Sequence, residues 1–209
     1  MAQICVFCKP PVPGQVKTRL AAALGPEVAA RLAEAFLADT LLELRRLPHL
    51  IALATTRPEF PLDAPESRWD QGDGDLGARI ARVLARALLR APYAVAIGAD
   101  SPGLPAERVD EAIRALDRVD AALIPAADGG FVLLAVRRLP ADALTDLPWS
   151  TPATCTATVA RLCALGLSVE VLTPWFDVDR PADLDRLRRE VDPARAPHTF
   201  AVLASLGAR

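Results

Sequence analysis

Three aspartates and a short basic stretch are the side chains in this 209-residue chain whose types and spacing suit phosphate chemistry. Asp100 stands in IGADSPGL, just past an apolar run, and Asp177 and Asp179 stand in FDVDRPADL. A carboxylate at the exit of a strand into a crevice is well placed for a hard cation such as Mg²⁺ or Mn²⁺. Such a cation takes one or two protein carboxylates and completes its shell with phosphate oxygens and water. In an extended segment residues 177 and 179 project to one side, so Asp179 is expected to be the second metal carboxylate and Asp177 its support. Asp183 falls after Pro181, where a carboxylate suits the start of a helix. Plain capping of turns and helix starts would also account for each of these acids.

The basic counterpart is KPPVPGQVKTRL, Lys9 to Leu20. Of 24 basic side chains only Lys9 and Lys17 are lysines, and both lie here. Lysine is a compact point charge and arginine a planar fork, so a site needing one is not served by the other. Pro10, Pro11 and Pro13 stiffen the chain, and Gly14 permits a tight turn. A helix beginning near Val16 would carry Lys17, Thr18 and Arg19 on its first turn, and a helix start with two cations is a phosphate cradle. A solvated basic turn is the plainer alternative. The stretch lacks the glycine directly before lysine that a Walker loop needs, and its single glycine does not make a dinucleotide GxGxxG.

Further segments could complete a binding site. QGDGDLGAR leads a glycine-bearing loop into a helix, where Gln71, Gly77 and the loop amides could read a base edge. AADGGF places Asp128, Gly129 and Gly130 between two strands, as a substrate loop or simply a hairpin turn. WSTPAT offers Trp149, Ser150 and Thr151, an aromatic wall and two hydroxyls suited to a small-molecule acceptor. His49 and His198 lie outside every motif, so a histidine-based hydrolase triad is not expected.

The elements that must position these residues alternate. Strand-like runs are Ile4 to Cys8, Leu50 to Thr55, Tyr93 to Gly98, Ala121 to Pro125, Phe131 to Val136 and Ser168 to Leu172. YAVAIG is apolar nearly throughout, as in a parallel strand covered on both faces. Helical spacing runs over Glu27 to Leu47, Leu76 to Arg90, Pro105 to Leu116, Pro152 to Leu165, Pro181 to Glu190 and His198 to Leu206. Thr151 is placed to cap the fourth of these, with Pro152 at its first position. The segment from Arg57 to Asp75 has no periodicity and reads as a long loop. The pattern predicts an α/β sandwich.

Composition sets bounds. Hydrophobic residues at 52% and charged residues at 24% are those of a globular protein, and a net charge of −2 argues against a nucleic-acid partner. No apolar run approaches the roughly 18 residues of a membrane span, and no signal-peptide pattern opens the sequence, so the cytoplasm is expected. Cys5 and Cys8 should point to opposite faces of one strand, and all four cysteines are expected to be buried, inert thiols.

Taken in order, FCKPPVPGQVKTRLA, QGDGDLGAR, GADSPGL, DGGF, WST and DVDRPADL resemble the bacterial GT-A-fold nucleotide-diphospho-sugar transferase-like proteins. More narrowly they resemble the small glycosyltransferase-like family associated with radical-enzyme and arsenosugar gene clusters. The opening is similar to the phosphate loop of 2-phospholactate guanylyltransferases, with molybdenum-cofactor guanylyltransferases more distant. The resemblance implies a three-layer α/β/α GT-A fold over a single domain, 1–209, with a mostly parallel sheet and one antiparallel strand, for which Phe131 to Val136 is the candidate. It implies Mg²⁺ or Mn²⁺ on Asp100 and the DVD carboxylates, with Lys17, Arg19 and Asp100 as catalytic residues. Lys9, Gly14, Lys17, Thr18, Arg19, Gln71 and Gly77 would bind a nucleotide or nucleotide sugar, and Asp128, Gly129, Gly130, Trp149, Ser150 and Thr151 an acceptor. Residues 101 and 102 are Ser and Pro, so the Asp-x-Asp of sugar transferases is missing at Asp100. Glycosyl transfer, nucleotidyl transfer with release of pyrophosphate, and nucleotide binding without turnover therefore all remain, and the sequence is silent on oligomeric state.

Overall fold

The apolar runs pair into one sheet of seven strands, ordered β3-β2-β1-β4-β6-β5-β7, in a computed structural model that describes residues 1–207. The strands are β1 (Ala2–Cys8), β2 (Leu50–Thr55), β3 (Ser67–Asp70), β4 (Tyr93–Gly98), β5 (Ala121–Pro125), β6 (Phe131–Val136) and β7 (Val169–Val171). Every pairing is parallel except those of β6, which runs antiparallel to both β4 and β5. The reversed strand is the one expected, and it follows the hairpin at Gly129 and Gly130.

Helices cover both faces, as fully apolar strands require. On one face α2 (Pro26–Leu44) and α4 (Ala106–Ala115) pack Leu37, Leu41, Val109 and Ile113 against Val6, Val95 and Ile124. On the other, α3 (Leu76–Leu88) and α5 (Thr154–Ala164) pack Ile80, Leu84 and Leu162 against Cys5, Ala96 and Leu134. Cys5 and Cys8 fall in these two different clusters, as their odd separation dictates. Cys163 departs from expectation: it is exposed on α5, whereas the other three cysteines are buried. No described helix is long and apolar enough to cross a membrane.

A third cluster lies beyond the sheet. Leu20 of α1 (Thr18–Leu24), Leu32 and Phe36 of α2, and Leu184 and Leu187 of α6 (Pro181–Glu190) meet Phe176, Val178 and Leu203 of α7 (Pro197–Gly207). It binds the amino-terminal basic turn to the carboxyl-terminal acidic segment. Asp39 inside α2 anchors α7 by accepting bonds from the amides of His198 and Thr199 at 2.9 and 2.8 Å and the Thr199 hydroxyl at 2.6 Å.

Two features differ from the sequence reading in kind, beyond small shifts of element ends. The loop expected from Arg57 to Asp75 contains β3, whose one inward side chain, Trp69, is buried beneath the guanidinium groups of Arg86 in α3 and Arg90 just after it, at 4.2 and 5.2 Å from its ring centroid. A single buried residue in an edge strand of this length leaves no alternation to detect. α5 starts at Thr154 with Ala153 at its cap, so neither Thr151 nor Pro152 takes the expected role. The Thr151 hydroxyl donates instead to the Pro148 carbonyl at 2.8 Å.

At the edge remote from Asp100, the buried Asp120 carboxylate gathers Arg137, Arg138 and both the amide and hydroxyl of Ser168 at 2.9 to 3.1 Å. It thereby ties β5, β6 and β7. These donors, the Arg138 bonds first, hold its pKa far below the ordinary value. A depressed carboxylate stabilises the fold above the unfolded pKa near 4 and loses that contribution as pH falls. Asp120→Ala is expected to lower stability at pH 7 by about 2 kcal/mol. In urea titrations the deficit relative to wild type should shrink between pH 5 and pH 3.

Candidate active site

The strand order reverses direction between β1 and β4. The loops leaving their carboxyl ends therefore part, and an α/β sheet opens its crevice at such a point. Residues 9–17 leave β1, and Ala99 and Asp100 leave β4, with the Ala99 amide still bonded to the Phe7 carbonyl at 3.2 Å. After β7 the chain keeps following β5, through Leu172 amide to Leu123 carbonyl at 2.8 Å and Trp175 amide to Pro125 carbonyl at 2.9 Å. It then crosses the crevice and closes on β4 with the Val178 amide donating to the Asp100 carbonyl at 2.9 Å. That crossing carries Asp177 and Asp179 to Asp100.

Lys17 meets them there. Its Nζ lies 2.8 Å from Asp100 Oδ1 and 2.7 Å from Asp179 Oδ1, with its own side chain 5% exposed and the two carboxylates 54% and 42% exposed. The backbone of Lys17 is left-handed, φ 47°, and caps α1 rather than lying in its first turn as expected. The Phe36 ring lies 5.6 Å from the ammonium, within range of a cation–π contact. Burial pulls the Lys17 pKa down, but the Asp100 and Asp179 charges and hydrogen bonds outweigh it, so the pKa ends above its ordinary value and the side chain is charged at neutral pH.

A cavity of about 340 Å³ opens at this pair. Lys9, Lys17, Thr18, Arg19, Asp100 and Asp179 line it, together with Gln15 and the apolar Pro11, Val16, Ala33 and Leu37. Arg19 is mostly exposed, 3.9 Å from the second oxygen of Asp179. Lys9 is exposed and forms no ion pair among the described residues. With α1 only seven residues long, side-chain cations rather than a helix end supply the positive charge. Cys8 also borders the cavity, yet burial and then the Asp100 charge push its thiol up to about 12, which removes thiolate chemistry.

Asp177 sits deeper, its Oδ1 accepting a 2.6 Å bond from Ser101 Oγ. Burial, and then the charges of Asp100 and Asp128, raise its pKa to about 6 against the lowering effects of Ser101 and Lys17. Asp183 is separate from the acid group: it closes a capping box on α6, accepting from the amides of Asp179 and Arg180 at 3.0 and 2.7 Å.

The acids fit a hard divalent cation. Lys17 shows that two half-exposed carboxylates converge on a position held by positive charge, and Mg²⁺ or Mn²⁺ needs only one or two carboxylates when phosphate completes its shell. No group of three or more His, Cys, Asp or Glu side chains is placed to hold a metal ion among the described residues.

The remaining expected residues divide. Gly14 is an exposed turn glycine, φ 77°, in the basic loop outside the cavity lining. Gln71 is buried, with its amide nitrogen donating to the Ala54 carbonyl at 2.7 Å and the Cys8 carbonyl at 3.5 Å, so that nitrogen holds strand ends rather than a base. At Gly77 a Cβ would lie 2.2 Å from the Leu144 carbonyl and 2.7 Å from Trp149 Nε1, which makes this glycine a packing contact between α3 and the segment before α5. Asp128 accepts from the Gly130 amide at 3.0 Å in the β5–β6 turn. A Cβ on Gly129 would strike Pro152, and the Gly129 carbonyl accepts from the Cys155 amide at 2.8 Å. Trp149 packs edge-on against Phe131 at 6.0 Å, while Ser150 is exposed in a left-handed conformation, φ 61°. None of these residues lines the cavity. Ser101, Phe36, Ala33 and Leu37 were not singled out from the sequence. Ser101 had a signal, its place beside Asp100, but the others are indistinguishable from core positions of α2.

The reversed strand in an otherwise parallel sheet, with acids and cations at its crevice, defines a nucleotide-diphospho-sugar transferase fold. Within that fold the chain belongs to a bacterial family described as "Uncharacterized protein conserved in bacteria" (DUF2064), which it matches over residues 39–151. The match includes Asp100 and leaves Lys17, Asp177 and Asp179 outside. A structure from Desulfovibrio desulfuricans G20, provisionally assigned as a nucleotide-diphospho-sugar transferase, superposes with TM-score 0.87 at 29% identity, covering 100% of this chain and 96% of that one. The 2-C-methyl-D-erythritol 4-phosphate cytidylyltransferase of Thermus thermophilus gives 0.55 at 16% identity, over 90% and 97% of the two chains. Rv0371c of Mycobacterium tuberculosis H37Rv, in complex with manganese, gives 0.50 at 20% identity, over 91% and 100%. The latter two share the fold. No curated protein sequence matches this chain.

Two outcomes test this geometry. Gly77→Ala should cost roughly 1–3 kcal/mol by overpacking, read as a lowered urea midpoint. Asp177 has a raised pKa, so its contribution to stability is present below the unfolded value near 4 and is lost as pH rises through about 6. Asp177→Asn should therefore gain on wild type between pH 4.5 and 7.5, by about 2 kcal/mol in metal-free urea titrations.

Proposed function

We propose that this protein is a divalent-metal-dependent transferase acting on a nucleotide-diphosphate sugar. The observation that carries the reading is the convergence of Lys17 with Asp100 and Asp179 at a cavity in the crevice of this fold. Asp100 and Asp179 would hold the cation, with Asp177 and its Ser101 bond supporting them from beneath. Lys9 and Arg19, on the exposed rim, bind the phosphates, and the apolar wall of Val16, Ala33 and Leu37 excludes water beside them. When bound, the metal supplies Lewis-acid stabilisation of the phosphate oxygens. Preorganised cations facing a departing diphosphate can each lower the barrier by about 3 kcal/mol. The acceptor would approach from the side of Asp128, Gly130 and Ser150, and its oxygen bonds to C1 of the sugar as the bond from C1 to the nucleoside diphosphate breaks.

A second reading is nucleotidyl transfer, in which an acceptor phosphate attacks the α-phosphorus of a nucleoside triphosphate and pyrophosphate leaves. It is favoured by Ser101 and Pro102 standing where a sugar transferase would continue Asp-x-Asp. In the Thermus cytidylyltransferase the same fold carries chemistry of this kind. Both reactions ask the same residues to manage a diphosphate group.

Thermal shifts separate them. A ligand at a hundred times its dissociation constant adds about 2.7 kcal/mol, or roughly 5 to 10 °C for a domain of this size. A Mg²⁺-dependent rise with sugar nucleotides supports the leading reading, and a rise with triphosphates alone supports the second. Asp100→Ala should abolish either. Flat melting curves with every nucleotide, with and without Mg²⁺, would overturn both.

A further inference from the structure

The ammonium of Lys17 and a divalent cation have a claim on the same two oxygens. Nζ bonds Asp100 Oδ1 at 2.8 Å and Asp179 Oδ1 at 2.7 Å, and no third acceptor for it stands among the described residues. A cation bound to Asp100 Oδ1 at its usual distance would lie no more than about 5 Å from Nζ. Two like charges that close repel, and the ammonium, its side chain only 5% exposed, has little water of its own to answer that repulsion, although solvent reaches the two carboxylates. The ammonium can leave only if another anion accepts it. Asp177 lies beneath, outside the cavity lining and bonded to Ser101 Oγ, and the protein groups on the open side of the cavity are Lys9, Arg19, Gln15 and Thr18, none of them anionic. The replacement anion must arrive with the ligand.

We propose that Lys17 is an internal counter-ion that makes metal entry conditional on a diphosphate group. Without ligand the ammonium holds Asp100 and Asp179 together and keeps a dication out. When a diphosphate enters, Lys17 turns its charge to a phosphate oxygen, and the two carboxylates become available to the metal the phosphate brings. The short pivot suits lysine, whose compact ammonium exchanges partners more readily than a planar guanidinium. This inference rests on the metal and phosphate roles proposed above and adds their order: metal and diphosphate bind together, and metal alone does not.

Calorimetric titration with Mn²⁺ tests it on wild type, Lys17→Gln and Asp100→Asn, each with and without inorganic pyrophosphate and corrected for Mn²⁺–pyrophosphate association in solution. Wild type should bind Mn²⁺ alone at least tenfold more weakly than Lys17→Gln does. Pyrophosphate should raise the wild-type affinity at least tenfold and that of Lys17→Gln less than threefold. Asp100→Asn should bind Mn²⁺ in neither condition. Equal Mn²⁺ affinity of wild type and Lys17→Gln without pyrophosphate would overturn the counter-ion role while leaving the metal site standing. Absence of Mn²⁺ binding in all proteins and conditions would overturn the functional reading and this inference with it. Should Lys17→Gln fail to fold by circular dichroism, the wild-type titrations decide alone, and tight binding of Mn²⁺ without pyrophosphate refutes the proposal.

Discussion

One buried ammonium between two half-exposed carboxylates sets the terms for the rest of this molecule. Removed from water by α2 and the basic loop, Lys17 would be costly without partners. Asp100 and Asp179 provide them from opposite directions, one from the end of β4 and one from the strand-like crossing after β7. Solvent reaches both acids, so each pair is worth nearer 1 kcal/mol than the several of a dry contact. The larger consequence is geometric: three distant segments must close on one point, where the compact ammonium of Lys17 bonds both oxygens.

The scaffold around that point is built by close approach. Pro152 sits where Gly129 has no side chain, and Leu144 and Trp149 sit where Gly77 has none. These contacts fix the β5–β6 turn and the segment before α5 along the crevice rim. Beneath the rim Asp177 is held by burial first, and then beside the charges of Asp100 and Asp128, at a cost in stability. Such costs concentrate at functional sites, where stability is traded against readiness to bind.

Much of this was legible in the residues. The strands were readable because burial on both faces demands uninterrupted apolar runs, and the acid and base stretches because they stand at strand exits. β3 escaped because Trp69 alone carries it, and the start of α5 escaped because Thr151 and Pro152 match a helix opening locally while Gly129 and Thr154 claim that backbone instead. The glycines of QGDGDLGAR suggested a ligand loop, but what Gly77 accommodates is a neighbouring carbonyl, which no local pattern encodes. Likewise Leu37 and Ala33 belong to an ordinary amphipathic stripe until the fold sets the basic loop against it. Cys163 falls on the outward side of α5, a matter of helix rotation that spacing alone left open.

Lys17 and Asp179 are 162 positions apart. Contacts of such long range are late to form, because the entropy of closing the intervening loop must be met before they return any stability. The cation pocket therefore exists only once the whole sheet has assembled and the final crossing has docked. A chain emerging from the ribosome would display the basic turn and Asp100 well before it could grip anything with them. In this architecture the junction of Lys17 with Asp179 is a signature of completed folding.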